Sequence, residues 1–419
     1  MQKSFKDLGL SRPICDELNK SGFGDPFPIQ YQAIDKILEG HDILGRAPTG
    51  SGKTFAFGLP LMEIKAQPEK RRPVSLVLSP TRELASQIVM ALEPFARVKK
   101  KKLVAIYGGV SYGPQRKKLE MGVDIVVACP GRLLDLINQR SILLDKIETL
   151  VIDEADRMAD MGFLPDVKKI VDLTNSDRQI ILFSATLDGD VAKLTKRYQT
   201  DPLSIEVETD KEDVKNVRHE FYPVKREKKM AFMAGAISNF DSTIIFSRTR
   251  HGAESILTGL KKYGISAESI HGGKSQTQRS RALERFVGKK VSALVATDVC
   301  ARGIDVENVG GVIHYDPAED SKDYVHRSGR TGRAGQSGVV ISLVGDDQIQ
   351  KVKKLVKPLG IEFIFSTPQF TQGVPKKLEP PIRQDSEVNP RKRSRGPKSN
   401  HSNRPHSRSF RGKTKSYSK

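Results

Sequence analysis

The chain has 419 residues, enough for two domains, and 70 Lys and Arg against 50 Asp and Glu give it a formal charge of +20. Its 37% of hydrophobic residues can build real cores, yet no apolar run approaches the roughly 18–20 residues of a membrane span, and the start Met1-Gln2-Lys3-Ser4-Phe5 lacks the apolar stretch of a signal peptide. The cysteines Cys15, Cys129 and Cys300 are too far apart for a metal pattern or a disulfide framework, which points to a reducing cytoplasm with no membrane partner.

Along the chain, short apolar runs alternate with segments of helix length. The runs at 42–45, 75–79, 103–107, 124–128, 149–152 and 180–183 read as one series of strands, and those at 243–246, 266–270, 292–296, 311–314 and 338–343 as a second. This alternation argues for an α/β fold with parallel sheets, and two series imply two such domains, 1–206 and 216–368. Between them 207–215 is polar and charged and reads as a linker. Within the first series, the run Lys99-Lys100-Lys101-Lys102 reads as a solvated surface. After Phe370 the apolar pattern stops and Pro, Ser, Lys, Arg and Asn take over, so 369–419 reads as a disordered tail unable to bury a core. Residues 389–419 hold 11 Lys or Arg and no Asp or Glu, which makes a polyanion the natural partner, nucleic acid ahead of membrane.

The run at 42–45 leads into a glycine-rich stretch, and 55–64 reads as a helix, which is the context a phosphate-binding loop needs. In Ala47-Pro48-Thr49-Gly50-Ser51-Gly52-Lys53-Thr54, Gly50 and Gly52 let backbone N–H groups face phosphate oxygens, and the helix N-terminus adds positive field. Lys53 would reach the β- and γ-phosphates of ATP, and Thr54 would offer its hydroxyl to Mg²⁺. Ala47 stands where the strict pattern has Gly. Ninety-nine residues after Thr54 comes Asp153-Glu154-Ala155-Asp156, at the C-terminal end of the buried run Leu150-Val151-Ile152, where ligands bind in open α/β sheets. Asp153 can hold Mg²⁺ through water, and Glu154 can orient and deprotonate an attacking water. Far downstream, His326-Arg327-Ser328-Gly329-Arg330-Thr331-Gly332-Arg333 offers Arg330 and Arg333 as arginine fingers. Kinase signatures are missing, so the chemistry reads as hydrolysis.

In this order the residues resemble the DEAD-box ATP-dependent RNA helicases of superfamily 2, from about Phe5 to about Leu359. The resemblance implies two RecA-like domains that bind ATP and single-stranded RNA across a cleft, each ligand favouring the closed state that suits the other. The stretch Gly22-Phe23-Gly24-Asp25-Pro26-Phe27-Pro28-Ile29-Gln30 resembles the Q motif, in which the amide of Gln30 pairs with adenine N6 and N7. Phe5 stands 17 residues before Gly22, at the aromatic position that stacks near the base. Ser184-Ala185-Thr186 would link hydrolysis to strand separation, the hydroxyls of Ser184 and Thr186 sensing closure at Asp156, with His326 in the same coupling set.

RNA backbone contacts are implied for Thr81 and Arg82 in Pro80-Thr81-Arg82-Glu83-Leu84-Ala85, for Gly109 and for Arg132. In the second domain the resemblance assigns them to Arg248, to Arg279 (which follows Gln276 in a Gln-x-x-Arg pattern) and to Thr297, and brings Gly303 and Asp305 near the nucleotide. Two positions depart from the family: Cys129 replaces a Thr and donates weakly, and Cys300 replaces an Ala. The expected activity is RNA-stimulated ATP hydrolysis coupled to local, non-processive unwinding by a monomer, with the tail as an RNA tether and ribosomal precursors or the mRNA-decay machinery as partners. Two other readings fit fewer residues. A DNA-directed translocase would need only the phosphate loop and the acidic run, and an annealing protein on an inactive ATP fold would not need Lys53, Glu154 and Arg330 intact.

Overall fold

The computed structural model describes residues 3–47, 51–187, 189–207, 217–301, 306, 309–332 and 338–367. The expected roles of Pro48, Thr49, Gly50, Gly303, Asp305 and Arg333, almost all of the expected linker and the basic tail lie outside the described residues. β1 (Ile43–Arg46), β2 (Ser75–Leu78), β3 (Leu103–Ile106), β4 (Ile125–Ala128), β5 (Thr149–Ile152), β6 (Gln179–Ser184) and β7 (Leu203–Glu206) form a seven-stranded sheet in the order β3-β4-β2-β5-β6-β1-β7. β8 (Val217–Pro223), β9 (Thr243–Phe246), β10 (Ala267–Ile270), β11 (Ala293–Ala296), β12 (Gly311–His314) and β13 (Gly338–Val344) form a six-stranded sheet in the order β10-β11-β9-β12-β13-β8. All neighbouring strands run parallel, and the two sheets with their helices are tandem RecA-like lobes.

Parallel strands covered on both faces have to be apolar throughout, and every residue of β2, β4, β5, β9, β11 and β12 is buried. The pleat then sorts alternate side chains to opposite cores. Val77, Val127, Val151 and Ile181 pack with Phe57 and Ile88, whereas Leu76, Val126, Leu150 and Ile180 pack with Leu133 and Val167. In the second lobe Ile244, Leu294 and Val312 face one core while Ile245, Val295 and Ile313 face the other. Two of the four edge strands, β7 and β8, carry no such run. Only Ile205 of β7 is buried, and β8 mixes Arg218, His219 and Glu220 with apolar residues, so periodicity does not reveal them. Pairing makes them strands: β7 lies along β1, and β8 lies along all seven residues of β13.

The topology fixes where the site can form. β5, β6 and β1 are neighbours, with Ile152 level with Leu182 and Arg46 level with Ser184. The loops that follow these strands therefore leave the sheet side by side, although their sequences are far apart.

The lysine run differs from its sequence reading. Lys99 Nζ lies 2.7 Å from Glu63 Oε2, and Lys101 Nζ lies 3.2 Å from Asp124 Oδ1 with both side chains under 10% exposed. Burial alone would raise the Glu63 carboxyl, but its bonds from Lys99 and Ser11 outweigh this and hold it below the usual range. Two of the four lysines thus tie the first lobe together, a use that a string of like charges does not announce.

At the end of β12, His314 is 1% exposed, with its ring 4.9 Å from Tyr324 and 5.9 Å from Phe246. Burial, with the charges of Arg327 and His219 nearby, holds its pKa well below the ordinary value. The folded imidazole stays neutral while the unfolded one takes up a proton near pH 6.5. Stability is therefore full above that pH and falls below it, by about 1.4 kcal/mol per pH unit from this residue. Denaturant midpoints measured from pH 7 to 5.5 should drop accordingly, and His314→Asn should flatten that slope. An unchanged slope in the variant would assign the acid sensitivity to other groups.

Candidate functional site

The first part of the site is built on the end of β1. Gly52 takes φ of 86°, and a Cβ there would stand 2.5 Å from Gln30 Nε2 and 2.9 Å from Phe27 Cδ2, so any side chain would be strained and would displace both. Lys53 opens the helix Lys53–Glu63, is 8% exposed, and its ammonium donates to the Ala47 carbonyl at 2.9 Å. Thr54 and Ser51 flank it, both half-buried. Buried Ala47 extends β1 by donating its N–H to the Ser184 carbonyl at 3.2 Å. Gln30 is 2% exposed, accepts the Phe27 N–H on Oε1 at 2.9 Å, and donates from Nε2 to the Gly52 carbonyl at 3.0 Å. Its amide retains one N–H and one lone pair for a ligand. Phe5 is 5% exposed and belongs to the apolar core with Ile14 and Ile34.

The second part lies at the end of β5. The Asp153 N–H donates to the Leu78 carbonyl at 3.0 Å, continuing the ladder, and the residue is 3% exposed. Burial pushes its carboxyl up to about 7 against the pull of the Lys53 ammonium, with Glu154 adding to the rise. Its Oδ1 is buried and has no hydrogen-bond partner, a costly arrangement for a carboxylate unless a cation or donor completes it. Among the described residues no group of three or more His, Cys, Asp or Glu could hold a metal by itself. That donor set fits Mg²⁺, which usually takes one or two protein ligands and completes its shell with phosphate oxygens and water. The residues for it are Asp153 and the Thr54 hydroxyl.

Glu154 turns the chain from strand into the helix Ala155–Asp160 with φ of 54° and ψ of 53°. A side chain in this left-handed region costs about 1–2 kcal/mol. Its Oε2 accepts from Arg157 Nη1 at 2.7 Å. Burial works to raise its pKa, but the Arg157 guanidinium, then Lys53 and Arg330, outweigh it and keep the carboxylate ionised. Sequence reasoning missed Arg157, although its spacing of three residues on a helix was a usable signal. Ser184 Oγ accepts the backbone N–H of Asp156 at 3.2 Å, so the contact runs to the main chain and not to the Asp156 carboxylate. Thr186 lies half-buried in the turn that follows.

The second lobe closes this arrangement. A cavity is lined by Lys53, Glu154, Asp156, Arg157, Ser184 and Ala185 from the first lobe and by His326 and Arg330 from the second. Arg330 is 4% exposed and close enough to Glu154 to stabilise its charge. Burial lowers the pKa of His326, Asp156 opposes this, and Arg157 and Arg330 add to it, which favours a neutral imidazole. Arg327, next in sequence, has a different job. It bonds both oxygens of Asp298, at 2.6 and 2.8 Å, and the Asp316 carbonyl at 2.8 Å, and so braces the helix Ser321–Ser328 inside the lobe.

The residues expected to touch RNA fall on both lobes. Thr81 caps the helix Arg82–Val98 by accepting the Leu84 N–H at 3.3 Å, and the Arg82 guanidinium lies against Gly109, whose φ of 77° and lack of a side chain allow the approach. Arg132 is 8% exposed, donates to the Val110 carbonyl at 3.0 Å and lies 3.9 Å over the Tyr112 ring. Arg248 is exposed, and Thr297 is 7% exposed beyond β11. Arg279, assigned to the RNA backbone, also reaches across the lobes: its Nη1 lies 2.7 Å from Glu83 Oε1 of the other lobe, with both side chains under 10% exposed. The same Nη1 is 3.6 Å from Cys300 Sγ, and Glu83 Oε1 has no aligned hydrogen bond, so the contact is ionic. Cys129 begins the helix Pro130–Asn138 without a side-chain cap, and burial, helped by Glu83, pushes its thiol up to about 12.

Comparisons with known proteins agree with one another. Residues 27–194 match the family described as DEAD/DEAH box helicase, and residues 225–335 match the helicase conserved C-terminal domain. The chain is 38% identical over 346 residues to the DEAD-box ATP-dependent RNA helicase CshA of Bacillus subtilis, covering 82% of this chain and 70% of that protein. It is 39% identical over 359 residues to the ATP-dependent RNA helicase CshA of Limosilactobacillus reuteri, covering 84% and 72%. Among solved structures it resembles S. cerevisiae Dbp5 bound to RNA and ADP BeF3, with a TM-score of 0.78, 28% identity, and coverage of 87% of this chain and 96% of that one.

Proposed function

The chain belongs to the DEAD-box family of ATP-dependent RNA helicases, and from that membership we propose how its two lobes share the work. It is an RNA-dependent ATPase that uses ATP to open short RNA duplexes locally. The observation that carries the residue assignments is that Glu154 of one lobe and Arg330 of the other face the same cavity. Gln30 takes the adenine edge with its remaining donor and acceptor, and Lys53 exchanges the Ala47 carbonyl for a phosphate oxygen. Thr54 and Asp153 hold Mg²⁺, which neutralises phosphate charge when bound. Glu154, ionised beside Arg157, accepts a proton from the attacking water, and Arg330 faces the charge that develops on the phosphoryl group. The relative with RNA and ADP BeF3 supports a closed state in which both ligands are held together.

In this reading 1–206 and 216–368 are the lobes, 207–215 is the linker, and 369–419 is a basic tether that holds RNA through counterion release. Thr81, Arg82, Gly109, Arg132, Arg248 and Thr297 hold the RNA backbone. The protein works as a cytoplasmic monomer on ribosomal precursors or decaying mRNA. Among the described residues no helix is long and apolar enough to cross a membrane.

Steady-state ATPase measured without nucleic acid, with single-stranded RNA and with DNA of the same sequence tests the proposal. RNA alone should stimulate hydrolysis, and Lys53→Ala should abolish it. Equal stimulation by DNA would favour a DNA-directed translocase. Absence of hydrolysis, with annealing that survives Lys53→Ala, would favour a non-enzymatic RNA-binding role.

A further inference from the structure

The helix Pro28–Leu38 begins on a residue that cannot cap it. Phe27 occupies the N-cap position and its side chain accepts no hydrogen bond, where Ser, Thr, Asp or Asn would satisfy a free N–H. The ring gains little from burial in exchange, being 49% exposed. Nearby Phe23, by contrast, rests edge-on against Phe55 at 4.9 Å between centroids.

One edge of the Phe27 ring meets the phosphate loop. Its Cδ2 lies 2.9 Å from the point where a Cβ on Gly52 would stand, and Gln30 Nε2 lies 2.5 Å from the same point. Ring and amide therefore converge over Gly52. The Gln30 amide is held by the Phe27 N–H and the Gly52 carbonyl, and keeps one donor and one acceptor free. An exposed aromatic surface next to such an amide, at the rim of a phosphate loop, suits a purine: the ring supports the base by stacking and the amide reads its edge.

We propose that Phe27 is a positioning residue for the nucleotide, its ring stacking on the base while Gln30 reads the edge, and that the helix forgoes its N-cap to present that ring. This rests on the nucleotide site assigned above to Gln30, Gly52 and Lys53. A ring that only props the loop would affect phosphate binding instead, and the two roles separate when ligands with and without a base are compared.

Titration calorimetry of the full chain with ADP and with inorganic tripolyphosphate, on the wild type, Phe27→Ser and Phe27→Tyr, makes that comparison. Phe27→Ser should weaken ADP by about 5- to 100-fold and leave tripolyphosphate within about twofold. The new Ser cap should raise Tm by about 1–2 °C, so the loss of affinity would accompany a more stable fold. Phe27→Tyr keeps the aromatic face and should bind ADP like the wild type. Because stacking does not distinguish purines, the ratio of ADP to GDP affinity should survive Phe27→Ser but change in Gln30→Ala. Equal weakening of ADP and tripolyphosphate, or unchanged ADP affinity in Phe27→Ser, overturns the proposal. A wild type that binds neither ligand overturns the nucleotide-site assignment instead.

Discussion

Glu154→Gln should lower kcat for RNA-stimulated ATP hydrolysis by about 10²- to 10⁴-fold while ATP and RNA affinities stay near those of the wild type. The amide can occupy the same space and still accept from Arg157, now at 2.7 Å from the carboxylate, but it cannot take a proton from water. Arg157 is 4% exposed, so it loses a charged partner at a buried site, and the variant should also be less stable by about 1–2 kcal/mol. Glu154→Gly separates the two effects. It relieves the backbone strain at φ of 54°, a gain of about 1 kcal/mol, but takes the Glu154 carboxylate away from the buried Arg157 guanidinium, and breaking such an ion pair typically costs about 3–5 kcal/mol. The ion pair should win, leaving the glycine variant inactive and less stable than the glutamine variant. Single-turnover hydrolysis and denaturant melts measure both quantities. A kcat within tenfold of the wild type in Glu154→Gln would remove this residue from the role of base.

Breaking the pair between Glu83 and Arg279 should impair closure of the lobes without unfolding either one. The two charges lie 2.7 Å apart in the closed arrangement, and each would be hydrated with the lobes apart. Closing therefore trades hydration for mutual attraction, and the trade fails when one partner is missing. Glu83→Gln leaves the Arg279 charge to be buried alone, at a cost of about 3–5 kcal/mol, or roughly 10²- to 10⁴-fold in the closure equilibrium. Fluorescence transfer between dyes on the two lobes, with ATP and RNA present, should show the closed population lost in Glu83→Gln and in Arg279→Gln. The double variant should recover part of it, because no lone charge is then buried. Additive losses in the double variant would show that each residue acts separately, with Arg279 serving RNA as its sequence pattern suggests. Thermal melting should barely change in any of the three.

These two sites differ in how far the sequence exposes them. Lys53, Asp153 and Glu154 are visible because phosphate chemistry demands a glycine-rich turn before a helix and acids at the end of a buried strand. Glu83 is not visible, and Arg157 is hinted at only by its spacing of three residues from Glu154. Each looks like an ordinary helical charge until folding removes it from water opposite a particular partner. Arg327 and Arg330 stand three apart in one run, and only the position of Asp298 shows that the first braces the lobe while the second faces the cavity. The lysine run at 99–102 misleads in the same way, since the carboxylates that pair with two of its members come from distant segments.

By itself the sequence determined the fold class, the two sets of central strands and most of the residues that line the cavity between the lobes. Strands buried on both faces must be apolar throughout, and phosphate loops admit few residue types, so both leave a local record. Tertiary structure alone decided the edge strands β7 and β8, whose mixed residues become strands only by pairing with β1 and β13. It also decided which charges act as partners, because the energy of a buried ion pair depends on distance and desolvation, and neither quantity is written in the order of residues along a chain.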